Sequence, residues 1–232
     1  MTSSSPLFDP RSAKVLGMDS HLPHVTPEQL TPDSLRLRFS QPPLWTPEHS
    51  VEKKFGDRKP AFAAVLVPLV MRDELMLLLT QRSSQLSTHS GQIAFPGGRT
   101  DAGDINAADT ALREATEEVG LPREFVEVLG NLPIYLTGTA FMVTPVVALV
   151  RPGFVLKPNP AEVSDVFEVP LRFLMNPAHH RRHEMQIGES TRQWLSMPYL
   201  EQDNLLSSEL KERYIWGATA GMLRNLYRFL IA

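Results

Sequence analysis

Arg113-Glu114-Ala115-Thr116-Glu117-Glu118-Val119-Gly120-Leu121 is the stretch on which the fold of this chain turns. Helical spacing of about 100° per residue gathers Glu114, Glu117 and Glu118 on one strip roughly 100° wide. Ala108, Leu112, Ala115 and Val119 fall on a different face, where small alanines permit close docking on a sheet. The pattern predicts a helix from near Asp104 to Gly120, with Pro122 preventing continuation. Glu114 meets Glu118 at i,i+4, a repulsive pair unless positive charge lies between them. A hard divalent cation, Mg²⁺ or Mn²⁺, supplies that charge and keeps positions open for water and phosphate oxygens. Arg113, on the flank, can orient a carboxylate or contact phosphate. A solvated acidic face is the competing account of three glutamates taken alone.

Working upstream, Phe95-Pro96-Gly97-Gly98 ends a strand-like run, Gln92 to Phe95, and loops toward the acidic helix. Paired glycines allow backbone to approach a metal or phosphate closely. Before it, Ala64–Val70 and Leu75–Thr80 are branched apolar runs separated by Arg72-Asp73-Glu74, the pattern of two strands joined by a tight turn. Downstream, strands are expected at Val126 to Leu136, Phe141 to Val150 and near Val166 to Val169. An amphipathic helix from about Gly217 to Leu230 closes the chain, with Met222, Leu223, Leu226 and Phe229 on one side. No internal repeat is present. Periodicity alone gives α+β or α/β.

Composition narrows the function classes. The 232 residues (26.0 kDa) suffice for one substantial core. Lys+Arg 23 against Asp+Glu 26 leaves a net charge of -3, which gives no global attraction to nucleic acid or anionic membrane, so phosphate recognition has to be local. Zero cysteines exclude a disulfide framework, thiolate metal sites and a cysteine nucleophile, and no Gly-x-Ser-x-Gly elbow supports a hydrolase triad. The start of the chain lacks the pattern of an export signal and no stretch approaches a membrane span, so a cytoplasmic protein is expected.

Twenty prolines exceed the roughly twelve usual for this length, and nine of them fall in the first 60 residues. Residues 1–60 are therefore read as a Pro-rich N-terminal extension and 61–232 as the main domain. Thr26-Pro27 and Thr31-Pro32 each place a capping hydroxyl before a proline suited to a helix start, so one or two short helices are expected, the second carrying Leu35, Leu37 and Phe39. Gln41 to Pro60 reads as irregular chain, wrapped on the body or loose. Such a head can reach a partner subunit, which makes a homodimer compatible with the sequence. His179-His180-Arg181-Arg182-His183 reads as a solvated turn, with a phosphate-contacting loop as the alternative. Trp194 and Trp216 can stack on an adenine, although Trp216, beside Gly217, reads rather as core.

The segment Arg113–Leu121 resembles the second half of the signature of the Nudix hydrolases at every specified position. In the first half, counted from Gly98, Asp104 takes the acidic position and eight residues rather than seven separate it from Arg113. Leu78-Leu79-Thr80-Gln81-Arg82-Ser83, then Gly91 and Phe95–Gly98, is similar to the extended motif of the coenzyme A pyrophosphatase branch, as are Asn159-Pro160-Ala161-Glu162-Val163, Phe167–Leu171 and Ile215–Ala220. The branch expects Arg where Ser87 stands, and His89 lies two residues on. The likeness spans about Ala61 to Leu230, and the head has no counterpart.

The resemblance implies an α/β/α sandwich with a mixed sheet and a Mg²⁺- or Mn²⁺-dependent diphosphate hydrolase. On that basis Arg113, Glu114, Glu117 and Glu118 are the catalytic set and Glu114, Glu117 and Glu118 the metal ligands. Arg82, Ser83, Gly91, Phe95, Pro96, Gly97 and Gly98 are the substrate-binding candidates. Glu162 is an accessory candidate, as base or metal-side carboxylate, as a partner for Arg113 or as a helix cap. The implied substrate is a small nucleotide, coenzyme A or a derivative cleaved to adenosine 3',5'-bisphosphate and 4'-phosphopantetheine. ADP-ribose, a dinucleotide polyphosphate or a damaged nucleotide is the alternative, and a non-catalytic nucleotide-binding module a further one.

Overall fold

The computed structural model describes residues 9–48, 51–52, 59–86, 90–187, 190–202 and 210–232. Its regular elements are β1 (Lys14–Met18), α1 (Pro32–Ser40), β2 (Ala61–Met71), β3 (Leu75–Arg82), β4 (Ile93–Ala94), β5 (Gly97–Arg99), α2 (Ala107–Val119), β6 (Val126–Asn131), β7 (Tyr135–Leu136), β8 (Phe141–Val150), β9 (Val163–Pro170), α3 (Leu171–Leu174), β10 (Arg181–Ile187), β11 (Ser190–Gln202), β12 (Leu210–Trp216) and α4 (Gly217–Ile231). The main sheet runs β4-β3-β2-β8-β6, with β5 on β2, β7 on β8 and β9 on β3. It is mixed, because β2 and β8 are parallel while the other pairs are antiparallel. A separate antiparallel sheet runs β1-β10-β11-β12.

Alternation along β2 builds two cores. Ala64, Leu66 and Val70 face α2 and pack with Ala111, Ala115, Val119, Val146 and Ala148. Val67 and Leu69 face the other way, toward α4 and the second sheet, among Leu223, Leu226, Leu195, Met197 and Ile215. Helix, mixed sheet, and helix with second sheet thus form the expected mixed α/β sandwich. Helix α4 is less one-sided than its periodicity suggested: Arg224 and Tyr227 are as buried as Leu223 and Leu226. It is covered on its far side by the head, where Trp45 and Phe39 rest on Phe229 with ring centres 5.4 and 4.7 Å apart.

Several boundaries differ from expectation for local reasons. Helix α2 starts at Ala107 rather than near Asp104, because the Asn106 side chain accepts the Asp109 N–H at 3.0 Å and caps it. It ends at Gly120, whose left-handed φ of 68° lets its N–H reach the carbonyls of Ala115 and Thr116. The run from Val126 to Leu136 is two strands, interrupted around Pro133, which has no N–H to give a ladder.

In the head, Thr31 caps α1 through the Ser34 N–H. Leu35 is buried and Phe39 packs on the core, while Leu37 is 59% exposed. Strand β1 was not expected. It pairs with β10 and so ties the head to the body. Among the described residues no helix is long and apolar enough to cross a membrane.

Candidate active site

Strand β5 lies against β2, with Val65 opposite Gly97 and Ala64 opposite Gly98, directly beneath α2. Neither glycine has room for a side chain. A Cβ on Gly97 would meet the Ala64 carbonyl at 2.5 Å, and one on Gly98 would meet the Glu114 carboxylate at 2.5 Å. The Gly97 N–H donates to Glu118 Oε2 at 3.1 Å. The Gly-Gly pair therefore brings bare backbone against two of the three glutamates.

Arg113 organises the remainder. Its Nε and Nη2 grip both oxygens of Asp104 at 2.9 and 2.8 Å, Nη1 donates to Glu114 Oε1 at 2.9 Å and to Glu117 Oε2 at 3.1 Å, and Nη2 also reaches the Arg99 carbonyl at 3.0 Å. Asp104 further accepts from the Asp101 N–H and the Thr110 hydroxyl, each at 2.9 Å. Arg113 above all holds the Asp104 carboxyl well below the usual range. The irregular spacing is thus accommodated: Asp104, one residue off the expected register, is the bidentate anchor of Arg113.

The other carboxylates are driven the opposite way. Burial pushes Glu114 upward against the pull of Arg113. Glu118, 3% exposed, is pushed up to about 7, chiefly by burial, opposed by the Gly97 N–H and by Arg82, and reinforced by the charges of Glu114 and Glu162. Arg82 Nη1 stands 3.7 Å from Glu118 Oε1, and its Nε is buried without a partner among the described residues. Glu117 is the open member, with its side chain 56% exposed.

The remaining candidates divide by location. Ser83 is buried, its N–H on the Glu162 carbonyl at 2.8 Å, and Gly91 turns the chain with φ 71° and bonds the Arg82 carbonyl at 3.1 Å. Phe95 enters the core, and buried Pro96 accepts the Leu66 N–H at 2.8 Å through its carbonyl. Glu162 lies in the loop before β9, bonded by Asn159 Nδ2 at 3.0 Å. Its charge bears on Glu114 and Glu118, and Arg113 is occupied elsewhere. Ser87 and His89 lie outside the described residues. Beside Arg113 opens a depression of about 490 Å³ lined by Lys59, Phe62, Arg99, Thr100 and Asp101.

The His/Arg cluster is not a solvated turn. His180 is fully buried, with ring nitrogens at 2.7 Å from the Leu174 carbonyl and 2.9 Å from Arg224 Nη1. Arg182 pairs with Asp19 and Glu48 of the head at 2.8 and 2.7 Å. His183 meets the Ser196 hydroxyl and lies parallel to Trp194, whose ring in turn meets Trp216 edge-on. The counter-charges that make this cluster structural come from more than a hundred residues away in sequence, beyond the reach of local pattern.

The donor set fits a hard divalent ion: Glu114, Glu117 and Glu118 offer carboxylate oxygens, and buried Glu118 lacks a full counter-charge. Among the described residues, no three Asp, Glu or His side chains already converge as a ligand set, since Glu114 and Glu117 are turned to Arg113.

Residues 60–192 match the NUDIX domain family. Nudix hydrolase NudL of Citrobacter koseri, itself described as uncharacterized, is 43% identical over 167 residues, 71% of this chain and 80% of its own length. NudL of Escherichia coli K12 matches to the same extent. Among solved structures, the Nudix hydrolase RenU of M. smegmatis is 25% identical, with 57% of this chain and 86% of that one covered at a TM-score of 0.45. The chain thus belongs to the Nudix family and is a hydrolase of diphosphate bonds.

Proposed function

We propose that this enzyme cleaves the diphosphate of coenzyme A or its derivatives, giving adenosine 3',5'-bisphosphate and a 4'-phosphopantetheine product, with Mg²⁺ or Mn²⁺ held by Glu114, Glu117 and Glu118. The observation that carries the reading is the joint between the Gly97 N–H and Glu118, with Arg82 close behind, because it brings the coenzyme A-like motif into the acidic cluster. A divalent ion bound there supplies positive charge to the diphosphate oxygens and acidifies water.

The chain's own residues do the positioning. Arg113, fixed by Asp104, orients Glu114 and Glu117. Arg82, whose Nε has no partner among the described residues, is the phosphate-binding candidate. Gly97 and Gly98 let the main chain of β5 reach the carboxylates that would hold the ion, while Ser83, Gly91, Phe95 and Pro96 shape the loop that presents Arg82. Lys59, Arg99 and Phe62 give the depression beside Arg113 two cations and an exposed aromatic face, the chemistry suited to the nucleotide end. The reading extends to a cytoplasmic enzyme and to a homodimer, which light scattering on the purified chain tests.

Ser87, in place of the expected Arg, favours a second reading in which another nucleoside diphosphate such as ADP-ribose or a dinucleotide polyphosphate is the substrate. Turnover of each at equal concentration with Mn²⁺ or Mg²⁺, with products identified, separates them. Preferential release of adenosine 3',5'-bisphosphate supports the first, and faster cleavage of ADP-ribose replaces it with the second.

A further inference from the structure

Asn159 sits in the loop between β8 and β9, which is clipped to the end of α2. Its backbone N–H bonds the Glu118 carbonyl at 2.9 Å, and the Lys157 N–H bonds that of Val119 at 2.9 Å. Its side chain makes two separate contacts. Oδ1 accepts the Ala161 N–H at 3.1 Å and tightens the turn, while Nδ2 donates to Glu162 Oε1 at 3.0 Å. The Glu162 carbonyl is tied in addition to the Ser83 N–H at 2.8 Å. A fourth carboxylate is thereby fixed to the helix end that carries Glu118.

The four carboxylates differ in what holds them. Glu114 and Glu117 both accept from Arg113, and Glu118 accepts from Gly97 with Arg82 3.7 Å away. The hydrogen bond at Glu162 comes from a neutral amide on the loop clipped to the helix end, and it engages Oε1, so that the carboxylate is oriented without a guanidinium partner in that bond.

We propose that Asn159 is a positioning residue that aims Glu162 at the attacking water, an inference that rests on the hydrolase reading above. In the step, the water oxygen forms a new bond to phosphorus and its proton passes to Glu162 Oε2. The bridging P–O bond breaks with its electron pair on the leaving phosphate. Proton transfer to a positioned base contributes on the order of 10²- to 10⁴-fold, so misdirecting it lowers kcat rather than binding.

Asn159→Asp tests this, because it keeps the acceptor for the Ala161 N–H and removes the donor to Glu162. With Mn²⁺ and the best diphosphate substrate, kcat is expected to fall by about 10- to 100-fold with KM within about two-fold. In a Glu162→Ala background the same substitution should change kcat by less than about two-fold. Thermal midpoints establish folding, and if Asn159→Asp unfolds, Asn159→Ser keeps a short acceptor and gives the same comparison. Unchanged kcat, an effect confined to KM, or an equal loss in both backgrounds overturns the assignment while the wild type still turns over. A wild type that cleaves no nucleoside diphosphate overturns the hydrolase reading, and this inference with it.

Discussion

Gly98 packs against Glu114 so closely that a single methyl on it would lie 2.5 Å from the carboxylate. The contact joins a strand of the mixed sheet to the first glutamate of the acidic helix, and it explains why two glycines stand together at that point. Gly97 makes the companion contact, to Glu118, through its backbone N–H. The two carboxylates are thus set by the main chain of β5 as much as by their own helix.

Alanine at the two glycines should act differently. At Gly98 the obstacle is the end of a flexible side chain, so Gly98→Ala should displace Glu114 and reduce kcat/KM by about 10²-fold or more, with little change in thermal midpoint. At Gly97 the obstacle is the Ala64 backbone, so Gly97→Ala should lower the midpoint itself. Parallel kinetics and thermal melts check both.

Glu118 gives metal-free stability a defined pH dependence. Its folded-state pKa, about 7, lies above the usual value of 4.5, so the folded protein binds more protons than the unfolded chain between those values. Stability from this group falls as pH rises from about 5 toward 8. In EDTA at pH 8, Glu118→Gln should therefore be more stable than wild type by on the order of 1–3 kcal/mol, with the difference shrinking near pH 5. Melting both proteins at the two pH values measures it.

Asp104 anchors Arg113 through both oxygens, and Asp104→Ala should free the guanidinium to swing toward Glu114 and Glu117. A loss of about 10- to 100-fold in kcat is expected, with more Mn²⁺ needed for half-maximal rate, since Arg113 then competes for the same carboxylates. Asp104→Glu should recover part of both. Titrating the metal in the two variants reports it.

Arg224, 1% exposed, is neutralised by Asp19 and Glu48, both from the head. Removing one partner leaves buried charge under-compensated, so Asp19→Ala should cost about 2–4 kcal/mol. That corresponds to roughly 5–15 °C in midpoint for a chain of this size. The rate below the transition should be unchanged, because the network lies outside the acidic cluster. Calorimetry together with an assay at low temperature distinguishes this from a catalytic role.

Features set by local pattern were legible before the structure. The glutamate strip of α2, its stop at Gly120, the branched apolar run of β2 and the Thr31-Pro32 start of α1 all depend on residues within a turn or two of one another. What escaped reading depends on distant partners. Strand β1 exists because β10 offers it an edge, and the pairing of Arg182 and the burial of Arg224 need Asp19 and Glu48. Asp104 was legible as an acid at an irregular spacing, but its bidentate hold on Arg113 required the turn through Asp101 to be folded. Asn159 lay in a quoted motif, yet its amide gained meaning only when its loop met the end of α2.

The most direct test of the metal-dependent hydrolase is the turnover of Glu118→Gln beside wild type on coenzyme A with Mg²⁺ or Mn²⁺, followed by product identification. Wild type should release adenosine 3',5'-bisphosphate only when metal is supplied, and the folded variant should lose at least about 10²-fold in kcat. An undiminished rate in Glu118→Gln, or wild-type turnover that persists in EDTA, would contradict it.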